Sequence, residues 1–190
     1  MTPPQHDIFQ TLNRTAAYPY ARSEYVRRLL WTIVQRTIFR WSLSRSYGWR
    51  RFLLKRFGAQ MGQSAAVGST TKIIHPWLLK MGDWSNISAG VTVYNLGQVT
   101  LGDHTVISQD AYVCAGSHDY TQPTLPLLRP PITIGSGVWI AAGAFIGPGV
   151  TIGDNSVVGA RSVVMKDIPA GVVVAGNPAR VIKARIESGG

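Results

Sequence analysis

A chain of 190 residues with 45% hydrophobic content is long enough for one globular core and an appendage. Its single cysteine, Cys114, excludes a disulfide framework within the chain and a cysteine zinc cluster. The formal net charge of +10 is concentrated: ten arginines and lysines lie between Ala21 and Arg56 against one acid, Glu24, which marks an interaction segment rather than a property of the whole fold.

Residues 1–23 carry Pro3, Pro4 and Pro19, show no periodicity and are expected to form an irregular tail. Met1 to Asp7 has no basic region leading into an apolar core, so no secretory signal is expected. No uncharged apolar run reaches about 18 residues, so a spanning helix is not expected either, and the default compartment is the cytoplasm. Residues 24–58 read as a basic amphipathic helical segment. Leu29, Leu30, Ile33, Val34, Ile38 and Trp41 recur at three and four. A second helix, near Tyr47 to Phe57, offers Trp49, Phe52, Leu53 and Phe57 with arginines between, and Gly58 supplies a stop. Two settings fit. The aromatic side lies at the headgroup level of a membrane with the arginines on anionic lipid, or the helices cap the open end of a repeat or meet a neighbouring subunit. Both can hold at once. Nucleic-acid binding is not expected, because no recognised motif accompanies the charge.

From residue 59 to 183 the chain reads as a solenoid. Irregular coils begin near Met61 and Val67. Aliphatic anchors then fall in phase at Met81, Ile87 and Val93, and after a slip at Leu101, Ile107 and Val113. Residues 119–131 hold Pro123, Pro126, Pro130 and Pro131 and are expected to leave the coil as a loop. The clearest stretch follows, with Ile134, Ile140, Ile146, Ile152, Val158 and Val164 at every sixth position. A small residue follows five of those six anchors. A period of six fits neither helix nor simple alternation; it fits three short flat runs per turn, with aliphatics stacked inside and tight corners between. Residues 184–190 are expected to form a C-terminal tail.

Four histidines are available: His6, His75, His104 and His118. His6 falls in the tail and His104 at a solvent-facing coil position. His75 precedes Pro76-Trp77 and is left undecided. His118 stands where the coil ends and the loop departs. The gap between His104 and His118, with no third imidazole nearby, argues against zinc, so no metal is expected.

The segments Val113-Cys114-Ala115-Gly116-Ser117-His118-Asp119-Tyr120, Ile132 to Ile140, Ile146 to Asp154 and Val174-Ala175-Gly176-Asn177-Pro178-Ala179-Arg180-Val181-Ile182 resemble the hexapeptide-repeat acyltransferases. Within them the chain is similar to the sugar O-acetyltransferases, above all the colanic acid acetyltransferases of exopolysaccharide clusters. That likeness includes Gly48 to Leu54, Phe57-Gly58-Ala59 and Tyr94-Asn95-Leu96-Gly97. The resemblance implies a left-handed parallel β-helix assembled as a homotrimer, with active sites between subunits. His118 matches the catalytic histidine, a general base removing a proton from a sugar hydroxyl as it attacks acetyl-CoA directly; imidazoles as a class titrate near neutral pH. Asn95 matches an asparagine that orients the acceptor, and Asp119 and Tyr120 fall on the acceptor side. Trp139 matches the tryptophan at the thioester end of the cleft, and the Ala142 amide matches the oxyanion donor. Coenzyme A is expected at the Ala160 amide, Lys166 and Arg180, with Lys183 where some relatives hold arginine. Met165 replaces a small polar residue there. Cys114 sits at a small-residue slot and reads as packing rather than as a nucleophile. Two other functions compete with acetyl transfer: a catalytically silent scaffold or membrane-surface protein retaining the coil, and a metal-dependent solenoid like carbonic anhydrase.

Overall fold

The protein, as a computed structural model, is described over residues 9–14 and 20–186; His6, Pro3, Pro4, Pro19 and residues 187–190 lie outside that range. From Gln60 to Val164 the backbone lays down strands of two or three residues on three parallel sheets, here faces A, B and C, in a repeating order. Face A stacks Gln60–Met61, Leu79–Met81, Val99–Leu101, Ile132–Ile134 and Thr151–Ile152. Face B stacks Ala66–Val67, Asn86–Ile87, Val106–Ile107, Trp139–Ile140, Val157–Val158 and Val172–Gly176. Face C stacks Lys72–Ile73, Thr92–Tyr94, Tyr112–Cys114, Phe145–Ile146 and Val163–Val164. The fold is a left-handed parallel β-helix preceded by helices.

The sixfold anchors form three columns inside the prism. Met61, Met81, Leu101, Ile134 and Ile152 line face A, Val67 to Val174 face B, and Ile73 to Val164 face C, all buried. Burying such a side chain contributes about 1.5–3 kcal/mol, and each gains its partners only from the coils above and below. The early coils, expected to be irregular, keep this register: Met61 pairs with Met81 and Val67 with Ile87. The phase breaks have a single location. The insertions 74–78, 95–98 and 115–131 all lie where face C passes to face A, so extra residues are extruded at one corner while the faces stay aligned. At that corner Gly97 lets the loop return, because a Cβ there would lie 2.5 Å from the Arg129 carbonyl oxygen.

The leader consists of α1 (Arg22–Val34), a π-helical turn over Gln35–Phe39 and α2 (Tyr47–Arg56). Its inner side is Trp31, Phe39, Leu53 and Leu54, all buried. Its polar atoms complete the lowest coil. The Ile73 N–H donates to Gln35 Oε1 at 2.7 Å, and the Ile73 carbonyl accepts Trp31 Nε1–H at 2.7 Å. Arg50, fully buried, donates to the carbonyls of Val67, Leu43 and Ser44 and to Ser42 Oγ. Burial lowers its pKa below the ordinary guanidinium value. An unpaired sheet edge is thus closed by side chains from the leader. At the other end the Val172–Gly176 strand turns back as a hairpin with Ala179–Ala184.

Candidate active site

His118 ends the short strand Ser117–His118, which pairs antiparallel with Leu127–Leu128 at the neck of the loop. Its Nδ1 lies 2.6 Å from the Leu125 carbonyl oxygen. A carbonyl only accepts, so Nδ1 carries the hydrogen and Nε2 keeps its lone pair. Leu125 itself sits at φ +45, a left-handed conformation that a branched side chain rarely adopts, held by the loop at the residue that aims the imidazole. The Asp119 carboxylate accepts the Thr121 N–H, the Thr121 hydroxyl and Gln122 Nε2, which hold its pKa below the usual carboxylate value. These bonds shape the loop tip; the direct partner of His118 is the Leu125 carbonyl and not Asp119. Tyr120 is exposed at the same tip.

Asn95 occupies the same corner but faces inward. It is fully buried; its Oδ1 accepts the backbone N–H groups of Ile74 and His75, and its Nδ2 donates to the His75 carbonyl at 2.6 Å. The amide expected to orient an acceptor is therefore engaged by backbone one coil below. His75, left open by the sequence, is the other half of this knot. Its Nδ1 bonds the Asn95 carbonyl at 3.0 Å and its Nε2 has no partner among the described residues. Burial is the main cause that takes its pKa down to about 4, with Arg28, Arg129 and Arg27 pushing the same way. His104 is exposed at a corner on the far side of the prism. Cys114 is half-buried, and burial pushes its thiol up, away from the thiolate a nucleophile needs. Among the described residues no three His, Cys, Asp or Glu side chains gather as metal ligands.

The remaining candidates lie elsewhere on the prism. Trp139 stands on the outside of face B, half-exposed, its Nε1–H donated to Ser108 Oγ at 2.9 Å. Ala142 and Ala160 occupy successive coils at the corner from face B to face C, where Arg161 N–H bonds the Ala142 carbonyl at 2.9 Å. The amides beside them are paired, Gly143 to Gln109 and Gly159 to Val174, whereas those of Ala142 and Ala160 make no hydrogen bond among the described residues. Lys166 and Arg180 come together across a cavity of about 450 Å³ between the upper coils and the terminal hairpin, with Met165, Pro178 and Val181 in its walls. Lys183 is exposed on the hairpin, outside that lining. Two clusters result. Trp139 stands on face B and the free amides at the corner from face B to face C, whereas His118 belongs to the corner from face C to face A. Leu125 and Ser108, which orient His118 and Trp139, leave no signal in the sequence because one acts through its carbonyl and the other from the neighbouring coil, 31 residues away.

The bacterial transferase hexapeptide family (six repeats) matches residues 131–166. WcaF of Escherichia coli (strain K12), assigned as a colanic acid biosynthesis acetyltransferase, is 48% identical over 159 residues, 84% of this chain and 87% of that protein. Among solved structures, a galactoside acetyltransferase in complex with coenzyme A aligns at a TM-score of 0.80 and 31% identity, over 89% of this chain and 86% of that one. A maltose O-acetyltransferase from Clostridium difficile 630 aligns at 0.80 and 28%, over 88% and 90%. With its repeat matched by the family model and 84% of its length covered at 48% identity by one such relative, the chain belongs to the hexapeptide-repeat acetyltransferases.

Proposed function

We propose that the protein transfers an acetyl group from acetyl-CoA to a sugar hydroxyl during exopolysaccharide biosynthesis, at the cytoplasmic face of the membrane and as a homotrimer. The observation that carries the mechanism is the Leu125 carbonyl on His118 Nδ1, which fixes the tautomer and leaves Nε2 as a base. His118 Nε2 takes the proton of the acceptor hydroxyl as that oxygen bonds to the thioester carbon. The Ala142 N–H, without a partner among the described residues, donates to the oxygen that becomes negative. When the carbon–sulfur bond breaks, the proton on Nε2 passes to the departing sulfur, and His118 is returned neutral with no acyl-enzyme formed. The chain suits the coenzyme: Lys166 and Arg180 flank one cavity as phosphate partners, and the free Ala160 N–H can meet the amide-bearing arm. His118 lies at the corner from face C to face A and the free amides at the corner from face B to face C. Packing of one chain's first corner against the second corner of its neighbour would complete a site, which is the arrangement proposed for the trimer.

The test is thiol release from acetyl-CoA in the presence of sugar acceptors, with the parent and His118→Ala. Loss of the base is expected to lower kcat by about 10²–10⁴-fold. Equal turnover by the two proteins would remove His118 from the mechanism.

A further inference from the structure

The leader has a second side that the solenoid does not use. With Trp31 and Phe39 turned inward, α1 carries Val26, Leu29, Leu30 and Ile33 on its outside, each more than half exposed. Trp41 and Leu43 follow at 82% and 80% exposure. Trp49 and Phe52 of α2 stack at 5.7 Å, and Trp49 Nε1–H is donated to the Ile38 carbonyl, which ties them to the same patch. An apolar surface of this extent marks an interaction site.

The charges around it separate into two groups. Arg50 is consumed inside the fold, Arg27 lies over Trp77 with a bond to the Phe57 carbonyl, and Arg28 lies over Tyr20. Arg22, Arg36, Arg40, Arg45, Lys55 and Arg56 are exposed, and their side chains make no hydrogen bond or ion pair among the described residues. Glu24 is the single acid of the segment. A second copy of this surface would set the same cations against one another. A layer that is apolar within and anionic at its surface satisfies both groups. The 13 residues of α1 span roughly 20 Å at 1.5 Å each, and no described helix is long and apolar enough to cross a membrane, so the leader would lie in the plane of such a layer.

We infer that the outer side of the leader, from Val26 to Phe52, rests in the headgroup region of an anionic lipid bilayer, with the tryptophans at the interface and the free arginines on lipid phosphate. This inference is independent of the acetyl-transfer reading and survives its failure.

The test is co-sedimentation of the full chain with phosphatidylcholine vesicles, with and without phosphatidylglycerol. Two variants accompany it: Leu29→Ser/Ile33→Ser and Arg36→Gln/Arg40→Gln. The parent is expected to bind only the vesicles containing phosphatidylglycerol, and less as salt rises. Each variant is expected to lose about tenfold or more in partitioning. All four side chains are exposed, so melting temperature and mass in solution should match the parent. Failure of the parent to bind, or undiminished binding by Leu29→Ser/Ile33→Ser, would overturn the inference. A fall in the mass of that variant in solution would do so too, because the patch would then be a contact between copies.

Discussion

Two imidazoles share the corner between faces C and A, and their surroundings decide their use. His118 stands in the open with one nitrogen tied to a carbonyl, whereas His75 is enclosed between Tyr20 and Trp77 with Nε2 unsatisfied among the described residues. The enclosed one predicts a pH dependence of stability. Its folded pKa of about 4 lies below the ordinary 6.5, so between those values the unfolded chain binds a proton that the folded chain refuses. Stability is full above pH 6.5 and declines as pH falls toward 4. Melting temperature followed across that window should show uptake of about one proton on unfolding, and His75→Asn, which keeps a donor near Nδ1, should remove most of the slope. An unchanged slope would mean that His75 does not carry it. Neither role is written in local sequence. His118 is readable only through the His-Asp-Tyr resemblance, and the contact of Asn95 with His75 spans 20 residues and leaves no trace in any short window.

At the level of elements, the solenoid and the leader were legible to different degrees for a physical reason. A coil buries one aliphatic per face, so its burial is local and periodic, and the period from Ile134 to Val164 declares it. The leader is apolar on both sides, and a helical pattern does not say which side meets the core. Leu29, Leu30 and Ile33 carry the recurrence, yet Trp31, one step out of that stripe, is the residue that is buried. This orientation is testable by stability. Trp31→Ala should cost about 3–5 kcal/mol in denaturant unfolding, since it opens a cavity and abandons the Ile73 carbonyl. Leu29→Ala should stay within about 0.5 kcal/mol. Comparable losses would mean that the helix is turned the other way.

For the molecule as a whole, the homotrimer proposed above divides the site between chains, His118 from one and Trp139 with the free amides from its neighbour. His118→Ala and Trp139→Ala, each impaired when alone, should therefore complement when unfolded together and refolded as a mixture. In a closed ring whose sites each take one cluster from either neighbour, about a quarter of the sites regain both residues. Thiol release by the mixture should rise well above that of either parent variant; no gain would mean that each chain holds its own complete site.

The leader and the terminal hairpin also decide how many rungs the prism can have. A chain relieved of everything before Ala59 would present Val67 and Ile73 as a bare template, open to the next molecule in the manner of a growing fibril. Arg50, Gln35 and Trp31 thus occupy the polar groups through which another chain could extend the coil, and a chain lacking the leader is expected to self-associate through that edge.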